Sequence, residues 1–117
     1  MIDKNRCMPI SAARKAESLA NDMGGQAKLA RVLGVERSTV SRWIHGHPPD
    51  GVHAARVDAL EFVLAEAERV FGAAGARKWL SGFDPRLGDR RPEDVLRAGR
   101  VDEVVRALGE HRAGSFA

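Results

Sequence analysis

The chain has 117 residues, with 19 Lys and Arg against 16 Asp and Glu, which gives a formal net charge of +3. This length fits one domain, or two very small units that share a core, and leaves no room for a large enzyme fold around a deep pocket. The hydrophobic content of 44% and the charged content of 30% are typical of a soluble helical protein and exclude a disordered chain.

Cysteine usage and the first ten residues both bear on the cellular compartment. The single cysteine, Cys7, excludes an internal disulfide and fits a reducing cytoplasm. No run of 18 apolar residues occurs, and the segment MIDKNRCMPI lacks an apolar core of signal-peptide length. We therefore expect a cytoplasmic protein with no membrane association.

Charge is distributed unevenly along the chain. Residues 1–57 carry nine Lys and Arg against five Asp and Glu, whereas residues 58–117 carry ten against eleven. A basic first half is suited to nucleic acid and a near-neutral second half is suited to protein. Charge alone fits equally well with two solvated surfaces that bind nothing.

Helical periodicity runs through the chain, and no strand pattern competes with it, so the predicted fold class is all-α. Ser11 fits the cap of the first helix, and Pro92 fits the first position of the sixth helix. The HPPDG segment at 47–51 predicts a turn, and 81–91 predicts a loop. The predicted helices lie at about 12–23, 26–33, 37–45, 54–71, 76–80, 92–98 and 101–110, with glycine breaks at Gly24-Gly25, Gly34, Gly46, Gly72, Gly75 and Gly99.

The segment QAKLARVLGVERSTVSRWIHG, residues 26–46, meets the demands of a helix-turn-helix. Ala30 is small where the two helices would cross. Gly34, four residues later, permits the left-handed backbone of the turn. The predicted shared core of the two helices contains Leu29, Leu33, Val35, Val40 and Trp43.

The second of these helices would be a recognition helix in the major groove of DNA. Its outward residues, which we predict to bind DNA, are Arg37, Ser38, Ser41, Arg42 and His45. Arg can hold a guanine edge with two hydrogen bonds, and Ser can bond to a base or a phosphate. Glu36 is a poor helix cap and brings negative charge near phosphates, unless it accepts from a cytosine amino group. The alternative is that these side chains are only the solvated face of a helical core.

A rival interpretation of the same region is a zinc site, because HGHPPDGVH brings His45, His47, His53 and Asp50 close in sequence. No cysteine joins them, their spacing matches no common zinc-ligand pattern, and the prolines and glycine fit a tight turn. The chain also lacks a Ser–His–Asp arrangement, a phosphate-binding glycine loop and a carboxylate pair with a plausible pocket. We therefore expect no metal, no cofactor and no enzymatic activity.

The second half holds WLSGFDPRLGDRRPEDVLRAGRVDEVVRAL, from Trp79 to Leu108. Leu87 is apolar within a polar loop and is predicted to plug the core between the flanking helices. The other predicted core residues are Trp79, Leu80 and Phe83, packed against Val95, Leu96, Val101 and Val105. Two alternative roles for this segment are a helical cap that packs on the long helix and the dimerisation module of a helix-turn-helix repressor.

Both motifs resemble known families. Residues 26–46 resemble the helix-turn-helix of Xre-type phage repressors, and the second half resembles the toxin-binding domain of the Xre/MbcA/ParS antitoxins. The residues that carry the second resemblance are Trp79-Leu80, Asp84-Pro85, Leu87-Gly88, Pro92, Leu96, Gly99 and Val104-Val105. Together the two resemblances cover about residues 11–110.

The resemblance implies a cytoplasmic type II antitoxin whose partner is a RES-domain toxin that degrades NAD. It implies a DNA-binding domain at 1–57 that binds the promoter of its own operon. It implies a toxin-binding domain at 58–117, and a homodimer within a toxin–antitoxin hetero-oligomer. A helix-turn-helix repressor without a toxin partner remains the alternative.

The last residues, EHRAGSFA at 110–117, are expected to leave the final helix as a tail. The resemblance implies that the C-terminal part of the antitoxin blocks the NAD pocket of the toxin. Phe116 would then replace a stacked cofactor ring, Arg112 would meet acidic groups, and the carboxylate of Ala117 would take a phosphate site. The residues predicted to bind the toxin are Arg112, Ser115, Phe116 and Ala117. The alternatives are a floppy end, and blocking by the folded region 60–110.

Overall fold

The structure is a computed structural model that describes residues 11–114, so the predictions for Cys7, Ser115, Phe116 and Ala117 lie outside the described residues. Within that range six α-helices follow one another without a β-strand, which confirms the all-α prediction. They are α1 (Ala12–Met23), α2 (Gln26–Leu33), α3 (Arg37–Ile44), α4 (Gly51–Ser81), α5 (Pro92–Arg97) and α6 (Val101–Gly114), with a 3₁₀ turn at Pro85–Leu87 between α4 and α5.

The ends of the first three helices follow from local chemistry. The Ser11 side chain accepts a hydrogen bond from the amide of Arg14 and so caps α1. Gly34 ends α2 with φ of 73°, a left-handed backbone that costs glycine little. Glu36 precedes α3 in an extended conformation, and its side chain makes no capping bond, as expected for a poor cap.

Helix α4 differs from the prediction at both ends. It begins at Gly51 rather than near residue 54, because the Asp50 carboxylate accepts a hydrogen bond from the His53 amide at 2.9 Å and caps the helix. The predicted break at Gly72 is present as a kink with φ of 79°. The predicted break at Gly75 is wrong, since that glycine lies inside the helix, and residues 76–80 form the second half of α4. The helix also runs through the expected domain boundary between residues 57 and 58.

The final helix is longer than predicted. Helix α6 continues to Gly114, whereas the sequence pattern ends it near Glu110 and places Arg112 on a tail. His111 and Arg112 bond to side chains of neighbouring elements, and these bonds hold the last turn in place. Arg112 is therefore a helical residue.

One core of buried apolar side chains links the helices, and it includes the predicted Leu29, Val40, Trp43 and Leu87. The burial predicted for Phe83 is wrong, because its side chain is 67% exposed. The Arg91 guanidinium lies 4.8 Å from the centre of the Phe83 ring and stacks on it, while Leu87 fills the core. Val105 of α6 is also more exposed than predicted, since 37% of its surface is open to solvent.

Within residues 11–114, no helix combines the length and the apolar character required to cross a membrane.

The burial of Trp43 gives a first test of the fold. Trp43→Ala should lower the free energy of unfolding by about 3–5 kcal/mol, because it removes a large buried ring and leaves a cavity. Urea denaturation followed by circular dichroism measures this change. Phe83→Ala is the matched control and should change stability by no more than about 0.5 kcal/mol, because that ring is exposed. An unchanged stability of the Trp43 variant would place this side chain outside the core.

Candidate functional site

The first candidate surface is the outward face of α3. Arg37, Ser38, Arg42 and His45 are exposed there, and Ser41 is half-buried. Helix α3 is fixed from below by Val40 and Trp43, which are buried against the rest of the core. Four of the five residues predicted to bind DNA therefore lie on α3, and His45 is the residue that ends it; all but Ser41 are open to solvent.

Hydrogen bonds within the helix orient two of these side chains. Arg42 Nη2 donates to Thr39 Oγ1 at 3.2 Å, and His45 Nδ1 lies 2.7 Å from the carbonyl oxygen of Ser41. Neither Arg37 nor Arg42 forms an ion pair with another described residue. Both guanidinium groups thus keep their charge available for an external anion.

A groove of about 500 Å³ lies beside α3. Arg42, His47 and His53 line it together with two carboxylates, Glu36 and Asp50. In the described part of the chain, no group of three or more His, Cys, Asp or Glu side chains is placed to hold a metal ion. His53 lies in the first turn of α4, where its Nδ1 is 2.9 Å from the Asp50 carboxylate.

The carboxylate of Glu93 connects α2 to the second half of the chain. Only 2% of the Glu93 side chain is exposed, and its two oxygens receive Lys28 Nζ at 2.6 Å and Arg31 Nη2 at 2.5 Å. The hydroxyl of Ser81, at the end of α4, donates to the same carboxylate at 3.3 Å. A buried charge is tolerated only when it is paired in this way, so these contacts fix α5 against α2.

A second buried carboxylate, Asp84, organises the loop between α4 and α5. Its side chain is 3% exposed and accepts from Trp79 Nε1 at 2.9 Å, from the Arg86 amide at 2.9 Å and from His111 Nε2 at 2.8 Å. Burial alone would raise the pKa of this carboxyl, but the hydrogen bonds from Trp79, His111 and Arg86 outweigh burial and lower the pKa.

The end of α6 is held by several contacts. The His111 ring packs edge-on against Phe71 with centroids 5.2 Å apart, and Arg112 forms an ion pair with Glu66 of α4. Arg86 Nε lies 3.6 Å from a carboxylate oxygen of Glu110. Of the four residues predicted to bind a toxin, only Arg112 is described, and its guanidinium already has an internal carboxylate partner.

The sequence does not reveal the roles of Glu93 and His111. Glu93 lies in the first turn of α5, where acidic residues are common, so nothing local indicates its burial. Asp84 and Pro85 belong to the motif described in the sequence analysis. The hydrogen bond between Asp84 and His111, which is 27 residues away, depends on the packing of α6 and cannot be predicted from local sequence.

The chain shares its fold with a chain in the crystal structure of the M. tuberculosis MbcT–MbcA toxin–antitoxin complex. The TM-score is 0.76 at 19% identity, and the alignment covers 94% of this chain and 100% of that chain. The resemblance in fold to MbcA-type antitoxins, predicted from the residue pattern, is thereby confirmed. No protein-family model matches the sequence, and no curated protein matches it either.

The lowered pKa of Asp84 predicts how its contribution to stability varies with pH. The stabilisation is fully present above the ordinary Asp value of about 3.9 and is lost as pH falls through the lower pKa of the folded state. Asp84→Asn should therefore reduce the free energy of unfolding by about 1–3 kcal/mol near pH 7. The two proteins should converge only once pH falls below the lowered pKa of folded Asp84, where both side chains are neutral.

Urea denaturation of both proteins across this pH range measures the difference. Asp22→Asn, at an exposed position of α1, is the control for removing one carboxyl. A difference between wild type and Asp84→Asn that stays constant with pH would contradict the assigned role of the carboxylate.

Proposed function

We propose that this protein is the antitoxin of a type II toxin–antitoxin system that binds and neutralises a RES-domain, NAD-degrading toxin. It is a binding protein rather than a catalyst, and it acts in the cytoplasm as a homodimer within the toxin–antitoxin assembly. Residues 1–57 bind the promoter of its own operon, and residues 58–117, with the C-terminal tail, bind the toxin.

The observation that carries the proposal is the fold shared with a chain of a toxin–antitoxin complex over 94% of this chain. The motif from Trp79 to Leu108 supports the same family at the level of residues. Two members of that motif have structural duties in the described residues. Trp79 donates to the buried Asp84 carboxylate, and Leu87 fills the core between the helices.

The DNA-binding part of the proposal is supported by α3. Helices α2 and α3 are joined by a short turn at the left-handed Gly34, which is the arrangement that a helix-turn-helix requires. Arg37 and Arg42 are exposed on α3 and have no ion-pair partner among the described residues. Charges of this kind bind phosphates and guanine edges in a major groove.

The second candidate is a helix-turn-helix repressor without a toxin partner, and the same face of α3 favours it. The two functions differ in what the C-terminal helices bind. A pull-down from the native cell separates them: a RES-domain protein on the bait supports the antitoxin, whereas recovery of the chain alone favours the repressor.

Arg42→Ala tests DNA binding. If Arg42 contacts a guanine, the change should weaken binding to the protein's own promoter by about 1–3 kcal/mol and relax its sequence preference. Arg42→Lys keeps the charge but loses the two-pronged hydrogen bond, so it should lower specificity more than affinity.

Fluorescence anisotropy with promoter DNA and random DNA at physiological salt measures both effects. Arg77→Ala, an exposed arginine on the second half of α4, is the control for loss of one positive charge. Equal affinity of the wild-type protein for promoter and random DNA, with and without the toxin, would refute the repressor activity.

Truncation after Arg112 tests the tail. The shortened chain should fold and bind DNA normally but neutralise the toxin less well, because it lacks Ser115, Phe116 and Ala117. The assay is NAD consumption by the RES-domain toxin recovered in the pull-down, mixed with full-length or truncated protein.

Two point variants separate the tail from the end of α6. Arg112→Ala removes the predicted toxin contact and the internal ion pair together, whereas Glu66→Gln removes only the ion pair. Equal inhibition by full-length and truncated protein would show that the folded region 60–110 blocks the toxin, and the role of the tail would be dropped.

A further inference from the structure

A cavity of about 290 Å³ lies where α2, α4, α5 and α6 meet. Its rim includes Ala55 and Gly99, which are exposed, whereas its floor consists of buried apolar side chains, those of Val32, Leu33, Leu60 and Leu96. The cavity therefore runs from the molecular surface to the edge of the core. It is called the Arg56 cavity below, after the charged side chain in its wall.

The backbone on two sides holds the guanidinium group of Arg56 in this wall. Its Nη1 donates to the carbonyl oxygen of Leu33, the last residue of α2, at 3.2 Å. A Cβ atom built on Gly34 would lie 3.8 Å from Nη1, and one built on Gly99 would lie 3.5 Å from Nη2. The guanidinium group therefore lies between the turn that follows α2 and the turn that follows α5.

No described residue neutralises the charge of Arg56. This side chain forms no ion pair with another residue of 11–114, and no carboxylate side chain in that range lines the cavity. The neighbouring Arg97, by contrast, has Asp94 as a partner, with 3.6 Å between its Nη2 and a carboxylate oxygen. A guanidinium group carries about five N–H donors in a planar fork, so Arg56 keeps donors for an external carboxylate after its bond to Leu33.

The apolar floor favours a ligand with a hydrocarbon body. A buried water molecule is stable only with about two to four polar partners, and the side chains of the floor offer none. Since a water takes up about 30 Å³ in the liquid, a cavity of about 290 Å³ has room for a ligand of about ten non-hydrogen atoms. Burial of such a body against Val32, Leu60 and Leu96 would release apolar surface from water.

The polar part of the wall favours a single carboxylate over a phosphate group. A phosphate dianion requires more donors than one guanidinium group supplies. The backbone amides of Gly99 and Arg100 are the nearest candidates, but they already donate to the carbonyl oxygens of Leu96 and Val95. A carboxylate needs only the free edge of the Arg56 fork.

A ligand in this cavity would contact both halves of the chain. Val32 and Leu33 belong to the first helix of the predicted helix-turn-helix, whereas Leu96 and Val101 belong to α5 and α6. Because a bound ligand stabilises the state that binds it, occupancy would strengthen the packing of α2 against the C-terminal helices.

We propose that the Arg56 cavity is a binding site for a small organic acid with an apolar body, of about the size of hexanoate or phenylacetate. The carboxylate pairs with the Arg56 guanidinium group at the rim, and the hydrocarbon or phenyl group lies on Val32, Leu60 and Leu96. The site includes neither the outward face of α3 nor the C-terminal tail, so it does not depend on the proposed function.

Titration of the ¹⁵N-labelled full-length protein with hexanoate and with phenylacetate, followed by ¹H–¹⁵N correlation spectra, tests the site. The largest shifts should occur at amides that border the cavity, such as those of Leu33, Gly99 and Val101. Acetate carries the charge without the apolar body, and hexanamide carries the apolar body without the charge. Each of these control ligands should bind at least about tenfold more weakly than hexanoate, because each loses one of the two interactions.

Two variants test the residues of the site. Arg56→Gln keeps a donor for the Leu33 carbonyl but removes the charge, so it should weaken binding of phenylacetate at least about tenfold. Ala59→Leu fills the cavity while it leaves Arg56 in place, and it should abolish binding. Arg77→Gln, at an exposed position on the second half of α4, is the matched control and should leave the affinity within about twofold. Spectra without ligand show whether each variant is folded.

Shifts that are confined to the cavity, together with these effects of hexanamide, Arg56→Gln and Ala59→Leu, support the site. The absence of saturable shifts with either acid would overturn it and leave a cavity that holds only water. Equal affinity for hexanoate and hexanamide, unchanged binding in Arg56→Gln, or shifts spread over exposed apolar side chains such as Phe62 and Phe83 would also overturn it. Should Arg56→Gln fail to fold, the comparison of hexanoate with hexanamide on the wild-type protein decides the role of the charge.

Discussion

The arrangement of the whole molecule depends on one buried carboxylate. Glu93 receives Lys28 and Arg31 from α2 and the hydroxyl of Ser81 from the end of α4, although only 2% of its side chain is exposed. An unpaired charge at this position would be strongly destabilising, so the ion pairs select one placement of α5 relative to α2. The surface of α3 and the C-terminal helices are thereby presented in a fixed relation.

A second carboxylate extends this order to the end of the described chain. Asp84 binds the Trp79 indole, the Arg86 amide and the His111 ring, and so joins α4, the 3₁₀ turn and α6. The proposed toxin-binding tail therefore follows α6, a helix that these hydrogen bonds hold in place. Anchoring of this kind reduces the entropy lost when a short terminal segment enters a cleft.

Much of the fold can be predicted from the sequence, because the ends and buried faces of the helices depend on residues close together in the chain. Gly34 ends α2, and the buried faces of α2 and α3 follow the helical period.

The predictions are wrong or incomplete where contacts between residues far apart in the chain determine whether a side chain is buried or paired. Phe83 carries no sign that Arg91 will cover its ring at the surface, and the partners of Glu93 on α2 are 62 or more residues away. The outward face of α3 is foreseeable from the spacing of its buried residues. By contrast, Arg112 can pair with Glu66 only because α6 continues past its predicted end. This continuation depends on the packing of α6 against α4, which the sequence pattern does not show.

We expect Glu93 and its partners to make the two halves of the chain unfold as one cooperative unit. Trp43 reports on the α1–α3 region and Trp79 on the C-terminal helices, and the chain has two tryptophans in all. Urea unfolding of the 5-fluorotryptophan-labelled protein, followed by ¹⁹F NMR, resolves both in the same molecule. Both native resonances should disappear over the same range of urea concentration, as in a two-state transition. Loss of the Trp79 resonance while the Trp43 resonance stays native, or the reverse, would contradict it.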